Sequence, residues 1–205
     1  GSTLLNGLGS GASNLHVGGG AVIRGQNRVA VEINPSRSCD YVKLENVDLE
    51  TTANWPGFRY ISRNGSNSTT LGLLKVDATI RSVGSGVDIV CNSSSDTGAV
   101  IDRLVVRGDV TVSGAAPTVN IAKNGSAYVG INEAEFDGRF RTQGSNNGMA
   151  LAGTSTGPAR FRGKFQTDGN GYSPIVCSMF GDVDLRATTV KGTSSPYRSS
   201  FTNTG

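Results

Sequence analysis

No apolar run in this chain approaches the roughly 20 residues that a membrane-spanning helix needs; Gly, Ser, Thr or Asn interrupts the Val, Ile and Leu every few positions. Insertion into a membrane is therefore not expected. Cysteine is scarce. Cys39, Cys91 and Cys177 are too few and too widely spaced for a disulfide framework or a CxxC metal centre. Cys177 falls at an apolar strand position and reads as a buried thiol acting as a small hydrophobe. The single histidine, His16, supports neither a metal site nor a triad and reads as a surface or turn residue. Charge of one sign is also lacking. Nineteen Lys and Arg stand against 16 Asp and Glu, with no basic block dense enough for a nucleic-acid groove. Ala, Leu, Glu and Lys, the strong helix formers, are sparse.

Glycine is abundant, with 29 in 205 residues, and Ser, Thr and Asn are frequent. This balance points to an all-β chain with many tight turns. Glycine-punctuated strand segments recur with little drift. With Leu49, Ile80, Val110, Phe140, Phe165 and Val190 as anchors, the intervals are 31, 30, 30, 25 and 25 residues. Two places on stand Thr51, Ser82, Val112, Thr142, Thr167 and Gly192; four places on stand Ala53, Gly84, Gly114, Gly144, Gly169 and Ser194. Such a period, carried by short strands ending in Gly, marks a stacked solenoid.

Around each anchor apolar and polar residues alternate, the period of a strand with one buried face. Leu104, Val106, Gly108, Val110 and Val112 share one side, and Ala134, Phe136, Gly138, Phe140 and Thr142 take the same offsets. Two before the anchor the residue is small in most rungs (Val47, Ala78, Gly108, Gly138, Gly163, Thr188), as expected where the wall turns a corner. A shorter segment returns in most rungs, with inward residues such as Val31 and Ile33, Phe58 and Tyr60, Val87 and Ile89, and Ile175 and Cys177. Tyr197 and Phe201 are expected in a fraying last coil. The predicted fold is a right-handed, single-stranded parallel β-helix of about seven coils over residues 21–205, after an irregular lead-in over 1–20. Gly1-Ser2 reads as a cloning remnant. The last residues, 201–205, carry no polar cap, so the chain is expected to be a piece of a longer protein. A helical solenoid fails because Gly interrupts every segment and no helical apolar spacing persists.

The odd offsets face outward. Three before the anchor stand Asn46, Asp77, Arg107, Asp137, Arg162 and Ala187, so charges of alternating sign are expected to neighbour one another up the wall. The same register sets Asp109 beside Arg139, Glu50 beside Arg81, Arg103 beside Glu133 and Glu135 beside Arg160. Glu133, Glu135 and Asp137 would suit a glycosidase acid and base, but ion-paired carboxylates have lowered pKa values and make poor general acids. They read as a solvated salt-bridge ladder, each exposed pair worth roughly 0–1 kcal/mol.

A less compensated cluster lies on the early coils. Asp48 and Glu50 stand two apart on one outward face, about 6.8 Å along a strand, with Asp77 on the next coil. These three are the candidate catalytic carboxylates, at a spacing compatible with either glycosidase geometry. Trp55, the sole tryptophan, precedes Pro56-Gly57 in a turn, where an exposed ring stacks on a sugar face or meets another subunit. Trp55, Arg59 and Arg81 are the candidate glycan-binding residues. Gly7-x-Gly9-x-Gly11 lacks the flanking strand and helix of a nucleotide fingerprint. The Asn-x-Ser/Thr triplets at Asn64, Asn67, Asn92 and Asn124 read as turn residues. No metal site and no cofactor is expected.

The coil pattern in Lys75-Val76-Asp77-Ala78-Thr79-Ile80, in residues 107–114 and in residues 162–169 resembles the right-handed parallel β-helix of bacteriophage tailspikes and tail fibres, over roughly residues 20–200. The resemblance implies a homotrimeric virion protein at the phage tail that binds or depolymerises bacterial surface polysaccharide, capsule or lipopolysaccharide. No nucleic-acid partner is expected, since no Lys/Arg block is dense enough for one. No individual catalytic residue transfers, because no matching motif is present. Two alternatives stand beside the binding role. One is a polysaccharide hydrolase or lyase of the pectin-lyase-like class, for which Arg81, Arg139, Arg141, Lys164 and Lys191 form an outward basic stripe able to neutralise a uronate. The other is a bacterial surface adhesin built from the same coils, extracellular or on the cell surface.

Overall fold

The structure is a computed structural model that describes residues 3–6, 14–35, 38–62, 69–91, 99–123, 129–153, 157–192 and 199–201. The described residues form strands and no helix. The first partial turn comprises β1 (Thr3–Asn6), β2 (Asn14–Val17), β3 (Val22–Gly25) and β4 (Val31–Asn34). Five complete turns follow, each a long strand and then a short one. They are β5 (Cys39–Thr51) with β6 (Phe58–Ser62), β7 (Thr69–Ser82) with β8 (Val87–Cys91), and β9 (Ala99–Val112) with β10 (Val119–Lys123). Next come β11 (Val129–Thr142) with β12 (Met149–Leu151) and β13 (Pro158–Thr167) with β14 (Ile175–Cys177). A last partial turn has β15 (Asp182–Asp184), β16 (Thr188–Lys191) and β17 (Ser199–Phe201).

The long strands stack as a nine-stranded sheet in the order β15-β13-β11-β9-β7-β5-β2, with β3 also on β5 and β16 also on β13. The short ones form an eight-stranded sheet, β1-β4-β6-β8-β10-β12-β14-β17. All the described pairings are parallel. This is an all-β parallel solenoid. Its complete turns number five rather than the expected seven, because the outermost rungs are split into short strands. Within the stretch 1–20, expected as an irregular lead-in, β1 and β2 join the two sheets by pairing with β4 and β5.

The anchors stack as the periodicity requires: Ile23, Leu49, Ile80, Val110, Phe140, Phe165 and Val190 are successive register partners. Inside, Phe140 lies on Phe165 with ring centroids 5.0 Å apart, and Phe136 lies on Phe161 at the same separation. The three cysteines are buried, and burial raises the thiol pKa of Cys177 and Cys39.

The small residues two before the anchor mark a bend in the wall. Gly108, Gly138 and Gly163 adopt φ of 114°, 141° and 98°, and each lies against the carbonyl of the rung before it. A Cβ on Gly138 would sit 2.1 Å from Gly108 O. The early rung solves the same bend with an extra residue. Asn46 takes φ 54° and stands out of register between Glu45 and Val47 as a bulge. The outward column is corrected accordingly: Glu45, not Asn46, neighbours Asp77. At the other end Ala187, at φ 60°, plays the bulge role, and Thr188 faces Gly163.

Candidate functional site

The turn between β5 and β6 places Trp55. Thr51 Oγ1 donates to the Trp55 carbonyl at 2.8 Å, and Gly84 of the next rung packs beneath the Trp55 backbone. A Cβ on Gly84 would lie 2.5 Å from Trp55 C. The backbone is thus clamped while the residue remains 41% exposed. Arg59, outward on β6, brings its guanidinium 6.0 Å from the Trp55 ring centroid, within cation–π reach.

Arg59 is itself held from both sides. Its register partners are Glu32 and Asp88. Its Nε donates to Asp88 Oδ2 at 2.8 Å, and Nη1 lies 3.9 Å from Glu32. Asp88 also accepts from Asn120 Nδ2 at 2.8 Å and is only 5% exposed, unusually low for an acid on an outer face. Glu32, Asp88 and Asn120 escape a reading that follows only apolar residues. The signal lay between those residues: Val31-Glu32-Ile33, Phe58-Arg59-Tyr60, Val87-Asp88-Ile89 and Val119-Asn120-Ile121 each carry a polar side chain at the same outward place.

The candidate carboxylates are arranged differently from their sequence reading. Asp48 is exposed and neighbours Val22 and Thr79. Glu50 stands between two arginines, Arg24 and Arg81, in register, and Arg24 Nε donates to it at 2.8 Å. It is therefore more compensated than the sequence implied. Asp77 neighbours Glu45 and Arg107 rather than Asp48, with Lys75 bonded to Glu45 and 4.0 Å from Asp77. Arg81 lies on the nine-stranded wall with Glu50, Thr111, Ser113 and Gln143 around a shallow depression of ≈ 230 Å³. The structure thus joins Trp55 to Arg59 and Glu50 to Arg81, on different sheets. His16, on β2, is an exposed partner of Glu45 at 2.9 Å.

The expected charge ladder is present but runs partly on the diagonal. Arg107 has Asp77 and Asp137 as register neighbours, yet bonds Glu135 at 2.6 Å. Arg103 approaches Glu135 at 3.6 Å rather than Glu133, while Arg139 meets Asp109 at 3.9 Å as expected. The Arg107 hydrogen bond holds the Glu135 carboxyl below its ordinary range against the opposing effect of burial. At Asp168 burial pushes upward, but hydrogen bonds from Gln166 and Arg141 outweigh it and the pKa falls. Neither is poised as a general acid.

These depressed values carry a pH signature. A carboxyl whose folded pKa lies below its unfolded value stabilises fully above the unfolded pKa, about 4.3 for Glu. That contribution disappears as pH falls through the folded value. Glu135→Gln is therefore expected to lower the melting temperature slightly at neutral pH, with the gap to wild type closing on acidification below about pH 4. Circular-dichroism melts across pH check this; a gap that persists in acid assigns the loss to packing.

The four Asn-x-Ser/Thr asparagines, the Gly7–Gly11 stretch and Tyr197 lie outside the described residues. Comparisons with protein-family models, with curated proteins and with solved structures find no match to this chain.

Proposed function

We propose that this solenoid is a polysaccharide-binding segment, of the kind that tailspike-like virion proteins use to engage a bacterial surface glycan, capsule or lipopolysaccharide, within a homotrimer. The observation that carries the reading is the Trp55–Arg59 pair. An exposed indole is clamped by its backbone to the next rung, and an arginine is steadied beside it by the buried Asp88. A rigid aromatic face with a nearby fan of N–H donors suits a sugar ring, whose axial hydrogens meet the indole and whose hydroxyls accept from the guanidinium. The platform's charge also matters. Glu32 and Asp88 outnumber Arg59, so the site favours a neutral sugar over an acidic one.

The depolymerase alternative draws on Asp48 and Glu50. Arg24 engages Glu50, and Asp77 stands elsewhere on the wall. The arrangement favours binding without cleavage.

Trp55 is the only tryptophan, so its emission reports the site directly. Titration with purified capsule or lipopolysaccharide is expected to shift Trp55 fluorescence, and Trp55→Ala to weaken binding about tenfold or more, the loss of an aromatic anchor of at least about 1.4 kcal/mol. Undiminished binding by Trp55→Ala in a pull-down removes this platform. New reducing ends or unsaturated products, lost in Glu50→Gln, favour the enzyme instead.

A further inference from the structure

The glycine bend at 108, 138 and 163 divides the outer wall into two legs of different electrostatic character. Before the bend, acids and bases interleave: Glu135 and Asp137 neighbour Arg160 and Arg162 in register, and Arg160 also faces Asp184. Beyond the bend opposite signs still meet on the earlier rungs, where Glu50 lies between Arg24 and Arg81 and Asp109 faces Arg139, but on the last rungs cations predominate. Arg139 is the register partner of Lys164, and Arg141 that of Gln166, which in turn faces Lys191. Two carboxylates reach these last rungs, and both are engaged. Asp109 lies 3.9 Å from Arg139. Asp168 accepts from Arg141 at 2.9 and 2.6 Å and from Gln166 at 2.5 Å. Lys164 and Lys191 are exposed, and Lys191 acts on Asp168 through its charge.

Like charges set side by side on adjacent strands destabilise a sheet. A chain that interleaves signs before the bend and sets Arg139 beside Lys164 after it keeps a local cost on a rigid surface, a pattern typical of functional sites. We infer that the face formed by Arg139, Arg141, Lys164 and Lys191 binds a polyanionic glycan, one with carboxylates repeated along its chain. This deepens the polysaccharide-binding reading and rests on it for the ligand being a glycan. It concerns a separate surface, however, on the nine-stranded wall rather than beside Trp55.

Three features favour that ligand. Arg139 and Lys164 lie one rung apart (roughly 4.7–4.9 Å), Arg139 and Arg141 two residues apart along a strand (about 6.8 Å), and Lys191 two rungs from Arg141 across Gln166, a spread of cations that suits a polymer carrying repeated charges. Between them stand groups that meet hydroxyls, the Gln166 amide and the Thr189 hydroxyl. Tyr172, 37% exposed, lies in the following turn with its ring against Gly169 and its carbonyl near Gly192. It offers one stacking face at the edge of this spread. A single-stranded nucleic acid calls for a series of aromatic platforms, and this face has one.

The test measures binding of polygalacturonate, neutral dextran and oligo-dT to the full chain over a range of NaCl concentrations. Polygalacturonate is expected to bind and to weaken as salt rises, with dextran not held at this face. Lys164→Gln/Lys191→Gln is expected to lose roughly tenfold in polygalacturonate affinity with a shallower salt dependence. Lys164→Gln alone is expected to melt no lower than wild type, because it relieves the contact with Arg139. Arg28→Gln, matched in charge and remote from these cations, controls for net charge. Equal losses in Lys164→Gln and Arg28→Gln, unchanged affinity in the double variant, or tighter binding of oligo-dT would each overturn the inference. Polygalacturonate binding that depends on the lysines while Trp55→Ala leaves surface-polysaccharide binding intact would sink the Trp55 platform and keep this site.

Discussion

Gly138→Ala is expected to destabilise the protein by about 3 kcal/mol or more, and in a short solenoid to prevent folding at 37 °C. Two penalties combine at this position. The backbone φ is 141°, a region that side chains rarely adopt, and such strain costs about 1–3 kcal/mol. The added Cβ would also lie 2.1 Å from Gly108 O and 2.9 Å from Gly108 N, both backbone atoms that cannot swing aside. Relief would require the rungs to separate, weakening the ladder on either side of the bend. Gly19→Ala isolates the first penalty. Gly19 has φ 78°, and its surroundings leave 4 Å clear around the place an added methyl would take, so its cost should be about 1–2 kcal/mol. Urea midpoints of the two variants decide the matter. If Gly138→Ala is no worse than Gly19→Ala, the close approach of successive bends is not a feature of the folded protein.

Phe161→Ala is expected to cost about 3–5 kcal/mol, the range for removing a buried ring from a packed core. Phe161 is fully buried, stacked on Phe136 at 5.0 Å and set edge-on to Phe165 at 5.8 Å and 71°. It therefore couples one rung vertically to the next and, along its own strand, one side of the bend to the other. The backbone ladders on both sides resist collapse into the space, so little of the loss should be recovered. A double-mutant cycle with Phe136→Ala should return a coupling of about 0.5–1.5 kcal/mol. A loss below about 1 kcal/mol for Phe161→Ala in chemical denaturation, well under the usual range for a buried ring, would show that these rungs repack freely.

Much of this architecture was legible because a parallel solenoid writes its register into the chain. Ile80, Val110, Phe140 and Phe165 must share one interior line, and alternation of apolar residues marks it. The Asn46 bulge was not legible. A single inserted residue leaves the apolar pattern intact on either side, so fixed offsets counted back from the anchor assigned Asn46 the place that Glu45 holds. The same limit applies to the ion pairs. Register fixes which Cα atoms are neighbours, whereas a long arginine chooses among several carboxylates within reach; Arg107 takes Glu135 although Asp77 and Asp137 are its register partners. The union of Trp55 with Arg59 was only half visible. Their proximity depends on how the turn at 52–57 returns the chain to the second sheet, and that path is set by Gly84 on the following rung.

The three buried cysteines lie at different heights of the column: Cys39 on the first complete coil, Cys91 on the second and Cys177 on the fifth. Because a solenoid's stability is summed from neighbour to neighbour, each coil opens only when its contacts with adjacent coils part. The sulfurs therefore act as position markers. Chemical access to each one reports opening at its own coil, at three separate heights.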